Sequence, residues 1–421
     1  MTARFLLLAL LFSFRVTFGQ SPAAENGFQE YKLPNGVKVI LLENFRLPVA
    51  LVGIIFDVGS FDAPPNKNGV ASIVAANIVN GEMHRRLKSL GVSYGVNPMK
   101  EYTEILAQMH PRRLEEFFAV ICGNISEISV ENLEILKKQM IVDGKLASHQ
   151  LNHILENVVC ANVGAKNANI AGGIFNEKSL SSITGDDVKR FFADRYRDCR
   201  LAVVVVGAVD GDTLKKIMGT TLCKLGRRKE TSANVFQNRD FRDIHIKSKY
   251  VDRGVWYFYH IPQRDSAAAS EEFLLLLNWR LFDFFLKHDR LIYDYDVRDV
   301  MNRGDRLLSV CLRPRMDVPM EKLQMAYDVF VHRLCKVAVS DEYLGKIAKL
   351  GYQEEQFARS NLSEVYANVR NALLNGRAAD SIWRTEKNIE NLKGGRLKSL
   401  AEKILGKGLA FKITTRYKSD K

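Results

Sequence analysis

The feature that most constrains this chain is an order of elements that runs through twice. Tyr31 to Leu42 reads as a turn, with Pro34-Asn35-Gly36 supplying the turn chemistry, and then a strand. Val49 to Asp57 reads as a second strand, and a short apolar helix follows inside Lys67 to Glu82. Glu104 to His110 is a third strand, and Pro111 opens a helix over Arg112 to Cys122. Ser129 is placed to cap a long helix reaching about Asn162. Thr184 with Asp187 marks a helix start over Val188 to Tyr196, Leu201 to Val206 is a wholly apolar strand, and Thr213 to Met218 is a short helix. Gly226 to Asn238 is polar and charged with no apolar period, and reads as a linker. The order then recurs. Val255 to Ile261 is a strand, Ser270 caps a helix through Leu286, and Tyr293 to Val297 and Leu307 to Leu312 are strands. Met320 to Val339 is a helix, Ser340 caps a long one, Leu397 to Leu405 is short, and Leu409 to Thr414 is a last strand. The halves share element order with little residue identity, so the pattern implies a duplicated α+β domain. The boundaries fall at 27–225 and 239–421, with 226–238 between.

Size agrees, since 421 residues exceed one ordinary core. Apolar content of 47% with 26% charged residues describes a globular chain. The net charge of +13 is spread over sites such as Arg112-Arg113, Lys137-Lys138 and Arg227-Arg228-Lys229. No basic stripe is interleaved with stacking aromatics, which argues for a solvated surface and against a nucleic-acid partner. None of the six cysteines forms a Cys-x-x-Cys, so neither a zinc knuckle nor a redox motif is indicated. Cys122, on an apolar helix, reads as a small buried hydrophobe. The first acid is Glu25; before it, Arg4 precedes an apolar run from Phe5 to Phe14, with Thr17 and Gly19 as small residues beyond. Residues 1–19 are therefore expected to be a secretory signal, implying a periplasmic or other extracytoplasmic location. Arg15 keeps a mitochondrial presequence as the alternative. No later run approaches the roughly 18 apolar residues of a membrane span, so no transmembrane segment is expected after it.

In Lys67 to Glu82, Val70, Ile73, Val74 and Ile78 fall on one face of a helical period, Gly69 opens the helix, and Gly81 fits a left-handed cap at its end. Around it stand Leu33-Pro34-Asn35-Gly36, Gly53 to Gly59, Gly69-Val70-Ala71-Ser72, Asn80-Gly81, Ser182-Ile183-Thr184, Arg280-Leu281-Phe282 and Leu291-Ile292-Tyr293. None is specific alone. In this order they resemble the insulinase-like metallopeptidases, in the branch holding the mitochondrial processing peptidase subunits, the core proteins of the cytochrome bc1 complex, and bacterial relatives. The resemblance implies two metallopeptidase-type domains, each a mostly antiparallel sheet covered by helices.

Active members carry Gly-x-Ala-His-x-x-Glu-His on the short helix. Two histidines one turn apart hold Zn²⁺, and the carboxylate between them is the general base on metal-bound water. Laid on this chain, the first ligand falls on Ser72, the base on Ala75 and the second ligand on Ala76. The third ligand, a Glu in relatives, falls within Gln139 to Asp143, which holds no Glu. Gly91 to Asn97, equivalent to a strand that pairs with substrate backbone in relatives, also departs from the family pattern. The family's substrate-binding Arg and Tyr fall on Leu286 and Tyr293; Lys287 or Arg290 could supply only a displaced cation, without an Arg fork at the matching position. A half-buried strand tyrosine is an equally good reading of Tyr293. A relocated site at His149, His153 and Glu156, one face of the long helix, is the remaining metal hypothesis; His110, His245, His260 and His288 stand apart from it.

The resemblance thus implies no catalytic residue and no cofactor in this chain, with zinc expected only in a partner. The leading expectation is a non-catalytic subunit that pairs as a heterodimer with a zinc-bearing relative, or self-associates, and meets peptide substrates through that complex. The alternatives are a structural core subunit of a respiratory complex, and a zinc peptidase using the relocated site.

Overall fold

The computed structural model describes residues 27–417 apart from 65, 80, 125–127, 148–149, 151–154, 156–157, 160–176, 198, 222–241, 249–251, 262–266, 303–304, 375 and 384–393. Two sheets are formed. The first joins β1 (Phe28–Lys32), β2 (Lys38–Glu43), β3 (Ala50–Phe56), β4 (Ser93–Pro98), β5 (Thr103–Met109) and β6 (Leu201–Gly207) in the order β1-β2-β6-β3-β5-β4. The second joins β7 (Arg242–Ser248), β8 (Gly254–Ile261), β9 (Ile292–Asn302), β10 (Asp305–Pro314) and β11 (Leu409–Tyr417) in the order β7-β11-β8-β10-β9. All pairings are antiparallel except β2 with β6 and β7 with β11. Each sheet thus closes with the last strand of its half, the long return that makes both halves α+β.

One face of each sheet carries its own helices. On the first lie α1 (Val70–Ile78), α2 (Gly81–Ser89), α3 (Leu114–Asn124), α4 (Leu133–Ala147), α5 (Glu177–Ser181), α6 (Gly185–Phe191) and α7 (Gly211–Thr221). On the second lie α8 (Ala267–Leu281), α9 (Met320–Lys336), α10 (Asp341–Ser360) and α12 (Gly394–Ala401), with α11 (Leu362–Leu374) set aside for another role. The strands are apolar on both faces: β3 and β6 are buried at every position. Their other faces therefore also need cover.

That cover is exchanged between the halves. Val365, Tyr366 and Val369 of α11, with Ala379, pack on Ile40, Leu51, Ile55, Val204 and Val206 of the first sheet. Leu155, Val158 and Val159, from the first half, pack on Trp256, Phe258, Leu307, Phe411 and Ile413 of the second sheet. One polar cluster sits in the first of these layers. The Tyr366 hydroxyl donates to Glu104 Oε1 at 2.6 Å, and Arg370 Nη1 lies 3.4 Å from both Glu104 oxygens. Glu104 is only 2% exposed, so these partners balance a charge that would otherwise be costly to bury. Burial, then the adjacent carboxylate, push the Tyr366 phenol far above its ordinary range, so it stays a donor. Gly53 in β3 makes the approach possible: a Cβ there would overlap the Tyr366 hydroxyl.

Three local expectations are corrected. Gly81 does not cap α1 in the left-handed region; it starts α2, whose Met83 and Leu87 supply a new buried face. The left-handed glycine is Gly69, at φ 103 on the other end of α1. Ser270 lies inside α8, because Ala267-Ala268-Ala269 already favour helix ahead of it. Ser129 accepts from the Glu131 amide in a turn, and α4 starts later, at Leu133. Thr184 and Ser340 do cap, through the Asp187 and Tyr343 amides. The anticipated leader, 1–19, and the linker, 226–238, lie outside the described residues.

The Gly53 and Tyr366 contact yields a coupled prediction. Gly53→Ala is expected to destabilise the chain by about 1–3 kcal/mol through overpacking. Tyr366→Phe is expected to cost about 1–3 kcal/mol by leaving Glu104 short of a donor. In urea unfolding, Gly53→Ala combined with Tyr366→Ala should cost clearly less than the sum of the two single changes, because the second removes the ring that the first displaces.

Candidate functional site

The candidate site lies on α1. Its buried face is the one the sequence pattern chose: Val70, Ile73, Val74 and Ile78 are all inside. Ser72 is half-buried, Ala75 is buried, and Ala76 faces solvent. At the base and second-ligand positions the chain therefore presents two methyl groups, which can neither bind a cation nor take up a proton.

The neighbouring helix offers no replacement. α4 packs on the core through Leu133, Met140 and Ile141, and its buried polar residue is Lys137. Lys137 Nζ donates to the Ile183 carbonyl at 3.0 Å and to Glu134 at 2.9 Å. Lys137 thus commits its inward position on α4 to a carbonyl and an ion pair and offers no donor atom to a cation. The two polar residues in the third-ligand window, Gln139 and Asp143, are exposed and bonded to each other at 2.9 Å. The donor set does not fit zinc. Among the described residues, no three His, Cys, Asp or Glu side chains are grouped to hold a metal ion. His149, His153 and Glu156 lie outside the described residues.

A second lysine fixes the entrance of α1. Lys67 Nζ donates to the Ser182 carbonyl at 2.8 Å and pairs with Asp187 at 2.7 Å. Asp187 also closes the cap of α6 by accepting from the Thr184 amide and hydroxyl, each at 2.9 Å. The Lys67 and Thr184 hydrogen bonds hold its carboxyl down at about 2. Two lysines thus clamp consecutive carbonyls, Ser182 and Ile183, and tie α1 and α4 to the α5–α6 turn.

Beside α1 runs β4, an edge strand whose one strand neighbour among the described residues is β5. Tyr94 and Val96 turn to the helix-covered face, and the Tyr94 hydroxyl lies 2.7 Å from Nδ1 of His84 on α2. The free edge of Ser93–Pro98 can pair with an extended chain, but no group beside it on α1 can activate water.

In the second half, Tyr293 stands on β9 and is 55% exposed; partial burial, then the carboxylates of Asp252 and Asp294, raise its phenol, against the opposing charge of Arg313. Leu286 turns into the second core, whereas Lys287 and Arg290 are exposed. The structure therefore presents the tyrosine without a cation at the matching position. The described cysteines Cys122, Cys199, Cys311 and Cys335 are buried and unpaired, and burial pushes the Cys122 thiol up to about 12. The inward position of Lys137, which reads as a surface charge, and the Glu104–Tyr366–Arg370 cluster leave no direct signal in the sequence. Gly53, a glycine inside a β-branched strand, was the available hint of a close approach.

Comparison with known proteins agrees with this architecture. No family model matches the chain. Over 220 residues, 49% of this chain, it is 22% identical to the probable mitochondrial-processing peptidase subunit beta of Arabidopsis thaliana, covering 40% of that protein. The chain thus spans well under two thirds of the curated relative it matches. Among solved structures, a protease from Helicobacter pylori superposes with a TM-score of 0.78 at 15% identity, over 92% of this chain and 99% of that one. The fold is that of the insulinase-like (M16) peptidases. A peptidase M16 inactive domain from Pseudomonas fluorescens matches with a TM-score of 0.75 at 15% identity, over 94% and 99% of the two chains. A chain of complex III2 from Candida albicans matches at 0.73 and 12% identity, over 92% and 95%. The M16-type fold therefore occurs in proteases, in inactive domains and in a respiratory assembly.

The Lys67–Asp187 clamp gives a pH prediction. The Asp187 carboxyl sits below its ordinary 3.8 in the folded chain, so its stabilisation is present above that value and fades as pH falls toward about 2. Lys67→Met should therefore lower stability at neutral pH by up to about 1 kcal/mol, with the difference from the parent shrinking as pH drops through that window. Urea midpoints of both proteins across the acid range measure it.

Proposed function

We propose that this chain is a non-catalytic member of the insulinase-like peptidases that works beside a zinc-bearing relative. The observation that carries the reading is α1: the packing face is kept in full, while Ser72, Ala75 and Ala76 replace the two ligands and the base. The packing face serves the fold whatever the activity, so the weight of the reading falls on the missing ligands and base, which a shell-forming subunit does not need. The open edge of β4 is consistent with contact to an extended peptide without hydrolysis. Zinc belongs, on this reading, to the partner. The peptide class is set by the pair, since the cation opposite Tyr293 is missing at Leu286. The apolar leader favours an extracytoplasmic site of action; the mitochondrial name of the Arabidopsis relative supports the organellar alternative. A structural role in a respiratory complex is the second reading, favoured by the complex III2 likeness.

Affinity capture of the tagged full chain from its source, with metal and peptidase assays on the recovered material, is the test. We expect a second chain with an intact His-x-x-Glu-His, zinc in proportion to that chain, and chelator-sensitive cleavage only when it is present. Stoichiometric zinc with cleavage by the isolated chain would overturn the proposal. Recovery with inner-membrane respiratory subunits instead would favour the structural reading. Ser72→His, Ala75→Glu and Ala76→His together should not create an efficient peptidase, because the third ligand and the supporting shell are also missing. Zinc-dependent turnover by that triple variant would contradict this.

A further inference from the structure

Each sheet has two strands with one strand neighbour among the described residues, β1 and β4 in the first and β7 and β9 in the second. Of these four β9 is the longest, at 11 residues, and it pairs with β10 without a shift from Asp294 to Asn302. Such an edge presents a row of unpaired backbone donors and acceptors and is a template for another strand. The side chains decide which strand fits. Tyr295 and Val297 turn toward the helix-covered core. Asp294, Asp296 and Arg298 alternate with them and so share the opposite face. Asp294 is engaged by Arg313 across the β9–β10 ladder. Arg298 meets its own Asp296 at 2.6 Å, yet its side chain remains 65% exposed.

We propose that β9 is the pairing edge of a homodimer, joined antiparallel to β9 of a second copy of this chain about a twofold axis at Val297. A twofold axis normal to the sheet keeps like faces together, so facing residues come from the same face of both copies. Centred on Val297, Asp296 of one copy faces Arg298 of the other, and the contact is made twice. Centred on Asp296 or on Arg298, identical charges meet head-on. Centred on Tyr295, Asp294 faces Asp296, two carboxylates. Opposite charges directly across a strand pair are favourable and like charges unfavourable, so charge selects the Val297 centre from its neighbours. The pairing joins two five-stranded sheets edge to edge, with their helix layers on one side. This inference does not rest on the loss of zinc chemistry and uses a different edge from β4.

The test uses the full chain with Cys160 and Cys223 changed to serine, the described cysteines being buried. Sedimentation over a concentration series should show a monomer–dimer equilibrium. Val297→Cys places two thiols on facing positions whose Cα atoms lie about 5 Å apart, so mild oxidation should give a reducible covalent dimer. Asp294→Cys, offset from its own copy by about 20 Å, should give none. Arg298→Asp should weaken association roughly tenfold or more, and Asp296→Arg with Arg298→Asp should restore it. Circular dichroism checks that each variant is folded. A chain that stays monomeric at every concentration overturns the proposal. So does a dimer that Arg298→Asp leaves intact and Val297→Cys fails to cross-link.

Discussion

The structure depends on one constraint: both sheets are apolar on both faces, and each half supplies helices for only one of them. The remaining faces are covered by exchange, α11 on the first sheet and the segment with Leu155, Val158 and Val159 on the second. Exposing either face would put a contiguous apolar surface in water. The exchange makes the halves interdependent although each closes its own sheet. At its centre sits Glu104, a buried charge tolerable because Tyr366 and Arg370 come from the other half. Gly53 is the concession the first sheet makes to receive them.

The same division between scaffold and chemistry explains α1. A zinc helix has two jobs, packing inward and coordinating sideways. In α1 the inward residues are Val70, Ile73, Val74 and Ile78, and the positions that the family resemblance assigns to the ligands and base hold a serine and two alanines. The clamp of Lys67 and Lys137 on the Ser182 and Ile183 carbonyls holds α1 and α4 in register by hydrogen bonds to neutral acceptors. An ammonium now sits on the helix from which a carboxylate would have come.

Much of this was legible in the sequence, and the exceptions have physical reasons. The apolar strands β3, β6 and β8 and the packing face of α1 were visible because periodicity reports burial directly. The order of elements gave the α+β duplication and the family likeness. Strands β1 and β7 were missed because edge positions bury little and leave no apolar pattern. Helix starts misread at Ser129 and Ser270, and a helix end misread at Gly81, show that a capping residue marks a boundary only where its neighbours have no stronger preference. The exchange of cover was invisible, because a helix pattern states that a face is buried and not against what. For the site, Ser72, Ala75 and Ala76 are placed at the zinc positions by family resemblance alone, and the inward position of Lys137 emerges only from the packing of α4.

The account's central claim is that α1 is held by packing and lysine clamps alone. The most direct measurement is thermal unfolding of the purified full chain, metal-free, with chelator, and with added Zn²⁺. A ligand bound only by the folded chain would raise the midpoint as its concentration increases. The account predicts one unchanged midpoint in all three conditions. A midpoint raised by stoichiometric Zn²⁺, reversed by chelator and lost in Ser72→Ala, would contradict it.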